Sequence, residues 1–521
     1  MAVKQYSFTV YYIGLLLLAA SIPLWMLLMS MSQILILISW LIDGNIKEKF
    51  IRAFTNPVVL VLTGLFFLHI AGLLYTTDFD YAKNDLRIKL PMLLLPVVIA
   101  TMPSLSPIQF NNVLKVLILA TFASTLCSMA VFFGIIPKHV ENIRDISLFI
   151  SHIRLSLIIC VAVVAMIYLL YESDGQKMAL IYIPLIVWFI AFLVILESLT
   201  GIAILSVLML MSCFYLAWKS KSKLIRVLTF VCLVFTFIAG FQLYRYLFID
   251  SIVKVKVDQN ALKKYTSSGN PYTHYLDRQD TENGNPVWVN ICETELDSAW
   301  STRSKLNYFG KDLRHQVLKY TLIRYLASKN YQGDAVGVSQ LSLTDIAAIE
   351  NGIANYRYLS KSNFRARLQQ LAWEYRNYYY SGNPSGHSAM QRIEFWKTAI
   401  YIISEHPVIG VGTGDVKAAF DQAYIDRKSQ LTPKFRFHAH NEYLTMTVAF
   451  GILGGMYFIF SLVFPYIYMR KKKDLLYTAF FIILLISMLT EDTPETQAGV
   501  TFMVFFNTFF LFHNNKKPPV S

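Results

Sequence analysis

Long apolar runs recur along almost the whole chain, and no other feature constrains its fold as strongly. They lie near Phe8 to Leu24, Leu27 to Ile42, Val58 to Tyr75, Leu90 to Thr101, Val113 to Ile135, Leu148 to Leu170, Ala179 to Leu196, Gly201 to Ala217 and Leu228 to Leu247. After a long polar interval, three more follow near Leu444 to Met469, Leu475 to Leu489 and Val500 to Phe512. A membrane span takes roughly 20 apolar residues, so the expectation is an all-α, polytopic membrane helix bundle of about twelve spans, the fourth and eleventh being short for a span. Composition agrees: 55% of the 521 residues are hydrophobic and 15% charged, against roughly 25% charged in a soluble protein, which excludes an ordinary soluble enzyme. The expected organisation is a membrane bundle of nine spans (1–247), a large, mostly helical extracytoplasmic loop domain (248–443), and three last spans with a tail (444–521). Lys4 ahead of Tyr11 to Leu24 also has the form of a signal peptide; the apolar sequence that follows at once favours a first span.

Four of five cysteines (Cys127, Cys160, Cys213, Cys232) lie in apolar stretches, and only Cys292 lies in the polar part, so neither a disulfide framework nor a CxxC zinc pattern is available. The net charge of +14 would point to nucleic acid in a soluble chain, but the positive-inside rule gives it another origin. Lys47, Lys49 and Arg52; Lys219, Lys221, Lys223 and Arg226; Arg470 to Lys473; and Lys516 and Lys517 all fall on one face of a twelve-span chain, which makes that face and both termini cytoplasmic. The opposite loops are mixed or acidic, with Asp78, Asp80 and Asp85 near Lys83 and Arg87, and with Glu491, Asp492 and Glu495. The segment from about Phe248 to Tyr443 is then periplasmic. Helical spacing of apolar residues in Leu313 to Leu326 and Phe364 to Tyr378 says that it folds. Between Ser251 and His440 it carries 24 Lys and Arg against 17 Asp and Glu, and a basic excess that orientation does not require suits either an anionic ligand or a solvated surface.

Three polar constellations fall at the expected outer membrane boundary. His438-Ala439-His440-Asn441-Glu442-Tyr443-Leu444 leads into a span containing Gly451, Gly454 and Gly455. An imidazole there can accept a hydroxyl proton, with Asn441 and Glu442 orienting the acceptor or fixing the tautomer; the same two histidines also suit a plain interfacial role, and they lack the further ligands of a metal site. Ser388 to Trp396 forms an amphipathic stretch with Ser388 as its cap, and Arg392 in it can grip a phosphate bidentately or pair with Glu394. His406-Pro407 to Gly410-Val411-Gly412-Thr413-Gly414-Asp415 is expected to be a turn, and without a βαβ unit it is weak as a phosphate loop. Ser151-His152-Ile153-Arg154 puts a guanidinium at a span end, where an ionisable group is by default functional or snorkels to the interface. Arg87 and Lys89 open the fourth span on the same face.

Together these residues resemble the O-antigen ligase and polymerase superfamily of bacterial envelope glycosyltransferases, most specifically from Ser388 to Gly455 and more weakly at Ser151 to Ser156 and Ser198 to Gly201. The resemblance implies metal-independent, inverting transfer of a glycan from an undecaprenyl-diphosphate carrier to an acceptor hydroxyl at the periplasmic face of the bacterial inner membrane, with no cofactor and no nucleic-acid partner. It implies that His440 activates the acceptor and Arg392 binds the diphosphate, with Arg154 assisting and Arg87, Lys89, His438, Asn441 and Glu442 binding substrate. Members often carry Ser-Arg-Gly where this chain has Ser198-Leu199-Thr200-Gly201, which leaves Arg154, Arg87 or Lys89 to complete the neutralisation. The acceptor can be lipid A core (a ligase), a growing glycan (a polymerase) or a protein Ser or Thr (an O-oligosaccharyltransferase). A lipid-linked glycan transporter is the rival from another class, although its charges belong near the bilayer midplane.

Overall fold

The computed structural model describes residues 2–140, 142–172, 176–252, 257, 262–278, 280–359 and 364–513; Lys516 and Lys517 lie outside them. Capping residues set where several helices begin. Asn56 accepts the Val58 N–H at 3.0 Å ahead of Pro57–Ala71, and Ser106 and Gln109 cap each other's backbone at the start of Pro107–Phe132.

The regular structure of the described residues is almost wholly helical, with very little sheet. Seven helices are long and apolar enough to cross a membrane: Pro57–Tyr75, Pro107–Phe132, His152–Glu172, Lys177–Ile195, Leu199–Lys219, Lys223–Ile252 and Glu442–Tyr468. The pair Met26–Ile42 and Ile46–Thr55, bent by 113°, makes an eighth if it is one span. The other expected spans are helices too. Ala2–Ser21 carries the first apolar run, while Pro91–Thr101, Leu475–Thr490 and Gln497–Phe512 have 11, 16 and 16 residues.

Packing divides the chain into two compact units, Met1–Thr236 with Asn383–Ser521, and Phe237–Gly382. At the centre of the first, Gln497–Phe512 is buried from Ala498 to Leu511, its phenylalanines interlocking with Phe480 and Phe110. A helix apolar on every side belongs inside a bundle.

Glu442–Tyr468 is broken at Gly451, whose φ of +66° and ψ of −171° are not helical. The segment after Pro407 fills the break. Val411 and Gly412 donate their N–H groups to the carbonyls of Val448 and Ala449 at 3.0 and 2.9 Å, and Ile452 donates to Pro407 at 2.8 Å. Helix-breaking backbone among apolar spans needs such replacement partners. The two backbones come so close that a Cβ on Gly451 would lie 2.1 Å from the Val408 oxygen, and one on Gly410 would lie 2.5 Å from the Val448 oxygen.

The second unit has its own core around Trp300, Tyr308, Leu318, Leu322, Tyr325 and Ile349. Its helices include Glu293–Ser301, Leu318–Ser328, Leu343–Glu350 and Phe364–Ser381. Asn283 and Gly284, both at positive φ, turn a two-residue hairpin of Thr281–Glu282 against Asn285–Pro286. The polar stretches without a chemical motif thus have architectural work: Glu282 accepts from Arg324 and Asn355, and Glu295 ties Thr266 and Asn270 together.

Candidate functional site

A single carboxylate shapes the chain as it enters the broken helix. His440 sits in the left-handed region, at φ +46°, which turns its N–H and that of Asn441 towards the same group. Asp492 accepts both, at 3.0 and 2.7 Å, and also the Thr445 hydroxyl at 2.9 Å. Asn441 caps the helix, its side-chain oxygen accepting from the Leu444 N–H at 3.2 Å while its amide donates to the Leu489 carbonyl. Burial, reinforced by the nearby Glu495 carboxylate, pushes Asp492 up to about 6 against the pull of those donors.

Arg392 and His440 meet at Glu491. Arg392, on the helix Ser388–Glu405, donates from Nη2 to Glu491 Oε1 at 2.8 Å and from Nε to the Thr490 carbonyl at 3.2 Å. The other Glu491 oxygen stands 3.9 Å from His440 Nδ1. The imidazole packs against the rings of Phe395 and Phe437 and keeps 36% of its side-chain surface exposed. Burial lowers its pKa, and the Arg392 and His438 charges push the same way, while Glu491 opposes them. The His440 imidazole is therefore neutral and partly exposed at neutral pH. Arg392 turns away from Glu394, which pairs with Lys397 and Arg427 instead.

Arg154 lines an apolar recess with Ile22, Ile150, Leu157, Ile158, Ala498 and Phe502, beside Thr493. Its guanidinium makes no hydrogen bond or ion pair within the described residues and lies in electrostatic range of Glu491. Other expected site residues have different surroundings. Lys89 is buried and paired with Asp85 at 2.6 Å and Glu495 at 2.7 Å, because a buried ammonium needs counter-ions. Arg87 is exposed and bonds Asn84 one turn away. His438 faces the Phe420 ring. Glu442 is fully buried, and neither carboxyl oxygen is hydrogen-bonded among the described residues.

The glycine-rich turn serves as a positioning element. Beyond the crossing at Gly451, Asp415 accepts from the Thr77 N–H and hydroxyl and from the Asp78 N–H, at 2.8 to 2.9 Å. Burial raises its pKa, but these donors outweigh burial and hold the carboxyl below its usual range. His387, not Ser388, stands at the cap position of the Arg392 helix. Sequence reasoning flagged Glu491, Asp492 and Glu495 only as an acidic loop. Their roles as partner of Arg392, organiser of the His440 turn and counter-ion of Lys89 depend on neighbours 47 to 406 positions distant in sequence. Among the described residues, no group of three or more His, Cys, Asp or Glu has the arrangement of a metal site.

No curated protein matches the chain. Residues 346–459 match the family model described as O-antigen ligase, a region that includes Arg392, the glycine-rich turn, His440 and the Gly451 break. That domain supports the resemblance of this polytopic helical chain to the O-antigen ligase and polymerase superfamily of membrane glycosyltransferase-type proteins.

Proposed function

We propose that the protein transfers a glycan from an undecaprenyl-diphosphate carrier to an acceptor hydroxyl, that of lipid A core, at the periplasmic face of the bacterial inner membrane. The observation that carries this is the contiguity of a neutral, accessible imidazole and a guanidinium across one carboxylate, with Arg154, which has no ion pair among the described residues, in electrostatic range of that carboxylate. His440 removes the proton of the acceptor hydroxyl as its oxygen attacks the anomeric carbon. The bond from that carbon to the diphosphate oxygen breaks on the opposite face, with inversion, and its electron pair leaves with the diphosphate. Arg392 and Arg154 stabilise that growing negative charge, an interaction strongest in the transition state. Asn441 and Asp492 hold the imidazole's backbone in place, and His438 stands beside the acceptor.

In this proposal about twelve helical segments traverse or enter the bilayer, both termini are cytoplasmic and the stretch from about 248 to 443 is periplasmic. Lys89 and Glu442 belong to the buried support beneath the site, and Arg87 meets the donor at the surface. A strain lacking the gene distinguishes the acceptors. Loss of a ligase leaves long glycans on the carrier and a lipopolysaccharide without its ladder, which is the expected result. Loss of a polymerase leaves single repeats, and loss of a protein O-oligosaccharyltransferase leaves the ladder intact.

A further inference from the structure

We propose that Glu491 is a carboxylate switch: it holds Arg392 while the site is empty, and turns to the Nδ1–H of His440 when the donor diphosphate takes the guanidinium. This rests on the roles given above to His440 and Arg392. One Glu491 oxygen is in hydrogen-bond contact with Arg392, and the other is 3.9 Å from His440 Nδ1, about 1 Å beyond a normal hydrogen bond. An incoming diphosphate competes for the same face of Arg392, and two anions on one guanidinium repel each other. The displaced carboxylate then has one near partner that can gain positive charge, the imidazole. An Nδ1–H···carboxylate bond leaves Nε2 as the base and stabilises the imidazolium formed when the acceptor proton arrives.

The charged and titratable groups around His440 are few enough to make the switch readable. Arg392 reaches it from the helix Ser388–Glu405, Glu491 from the turn after Leu475–Thr490, and His438 from its own segment. Asp492 contacts its backbone, and Arg154 senses Glu491 from the helix His152–Glu172. Of these, Glu491 alone is an anion poised between both proposed working groups.

The test uses purified full-length protein, a polyprenyl-diphosphate-linked glycan with its acceptor, and inorganic pyrophosphate as a competing probe. Glu491→Gln is expected to free Arg392, lowering both the donor KM and the pyrophosphate concentration for half-inhibition by about tenfold. Its kcat should fall by about ten- to a hundredfold. The acid limb of its kcat profile should move to lower pH, because the charge favouring the imidazolium is gone, and Glu491→Asp should restore part of kcat. The switch is overturned if Glu491→Gln leaves KM, pyrophosphate inhibition and the acid limb unchanged while His440→Ala is inactive. Full transfer by His440→Ala would instead overturn the base assignment, and the switch with it.

Discussion

His440 is useful because its surroundings disagree about its charge. Burial, Arg392 and His438 all disfavour the imidazolium, and Glu491 alone favours it. A base is active only when unprotonated, so a lowered pKa keeps it active further into the acid range. In the profile of kcat/KM, which reports the empty site, half of the plateau should be reached below pH 6.5, the ordinary midpoint for histidine. A pH–rate profile with its acid midpoint at or above 6.5 would contradict the environment described. His440, Asn441 and Arg392 stand out in the sequence because each lies in a short local motif, but that His440 and Arg392 meet at Glu491 is set by tertiary folding. The state of Lys89 was not, since its pairing with Glu495 joins residues 406 positions apart. A lysine read as an open cation turned out to be neutralised by two carboxylates.

At the scale of elements, the glycine-rich turn was readable as a turn, but its purpose was not. It supplies the donors and the acceptor that the break at Gly451 leaves open, and it does so by backbone contact with no room for a side chain. Gly451→Val forces a β-branched residue to positive φ and drives a Cβ into the Val408 carbonyl, so it should destabilise the protein by about 3 kcal/mol or more. Thermal unfolding in detergent checks this: Gly240→Val, on the helix Lys223–Tyr244 where an added Cβ meets no atom within 4 Å, gives the reference, and an unchanged midpoint for Gly451→Val would show that the crossing is not needed. Apolar length located the helices well, and seven of them among the described residues, or eight with the bent pair, are long and apolar enough to span alone. Pro91–Thr101 and Gln497–Phe512 are apolar because neighbouring helices bury them, and burial in protein demands no minimum length.

For the whole molecule, the charge has more than one use. Lys49 is buried, donating to the Trp40 carbonyl and pairing with Asp43. Lys471 donates to the Phe510 carbonyl near the end of the last helix. Both are basic residues of the kind that orient a membrane protein, and both also satisfy helix-terminal carbonyls. The proposed topology predicts that, in a background without reactive cysteines, a membrane-impermeant thiol reagent applied to spheroplasts labels Ser267→Cys in the second unit and spares Ser222→Cys between two apolar helices. The reverse pattern would invert the orientation. The second unit's hairpin and its Glu282 and Glu295 contacts were invisible in sequence, because a carboxylate's partner in a loop-rich region is set by tertiary folding alone.

The most direct measurement is transfer in liposomes, with purified protein, labelled lipid-linked glycan and acceptor, comparing the wild type with His440→Ala. The wild type should yield a covalent glycan–acceptor product. The variant, folded and still inhibitable in its donor binding by pyrophosphate, should lose product by at least about a hundredfold. Product at the wild-type rate from His440→Ala, or label moved across the bilayer by the wild type without a covalent product, would contradict the account.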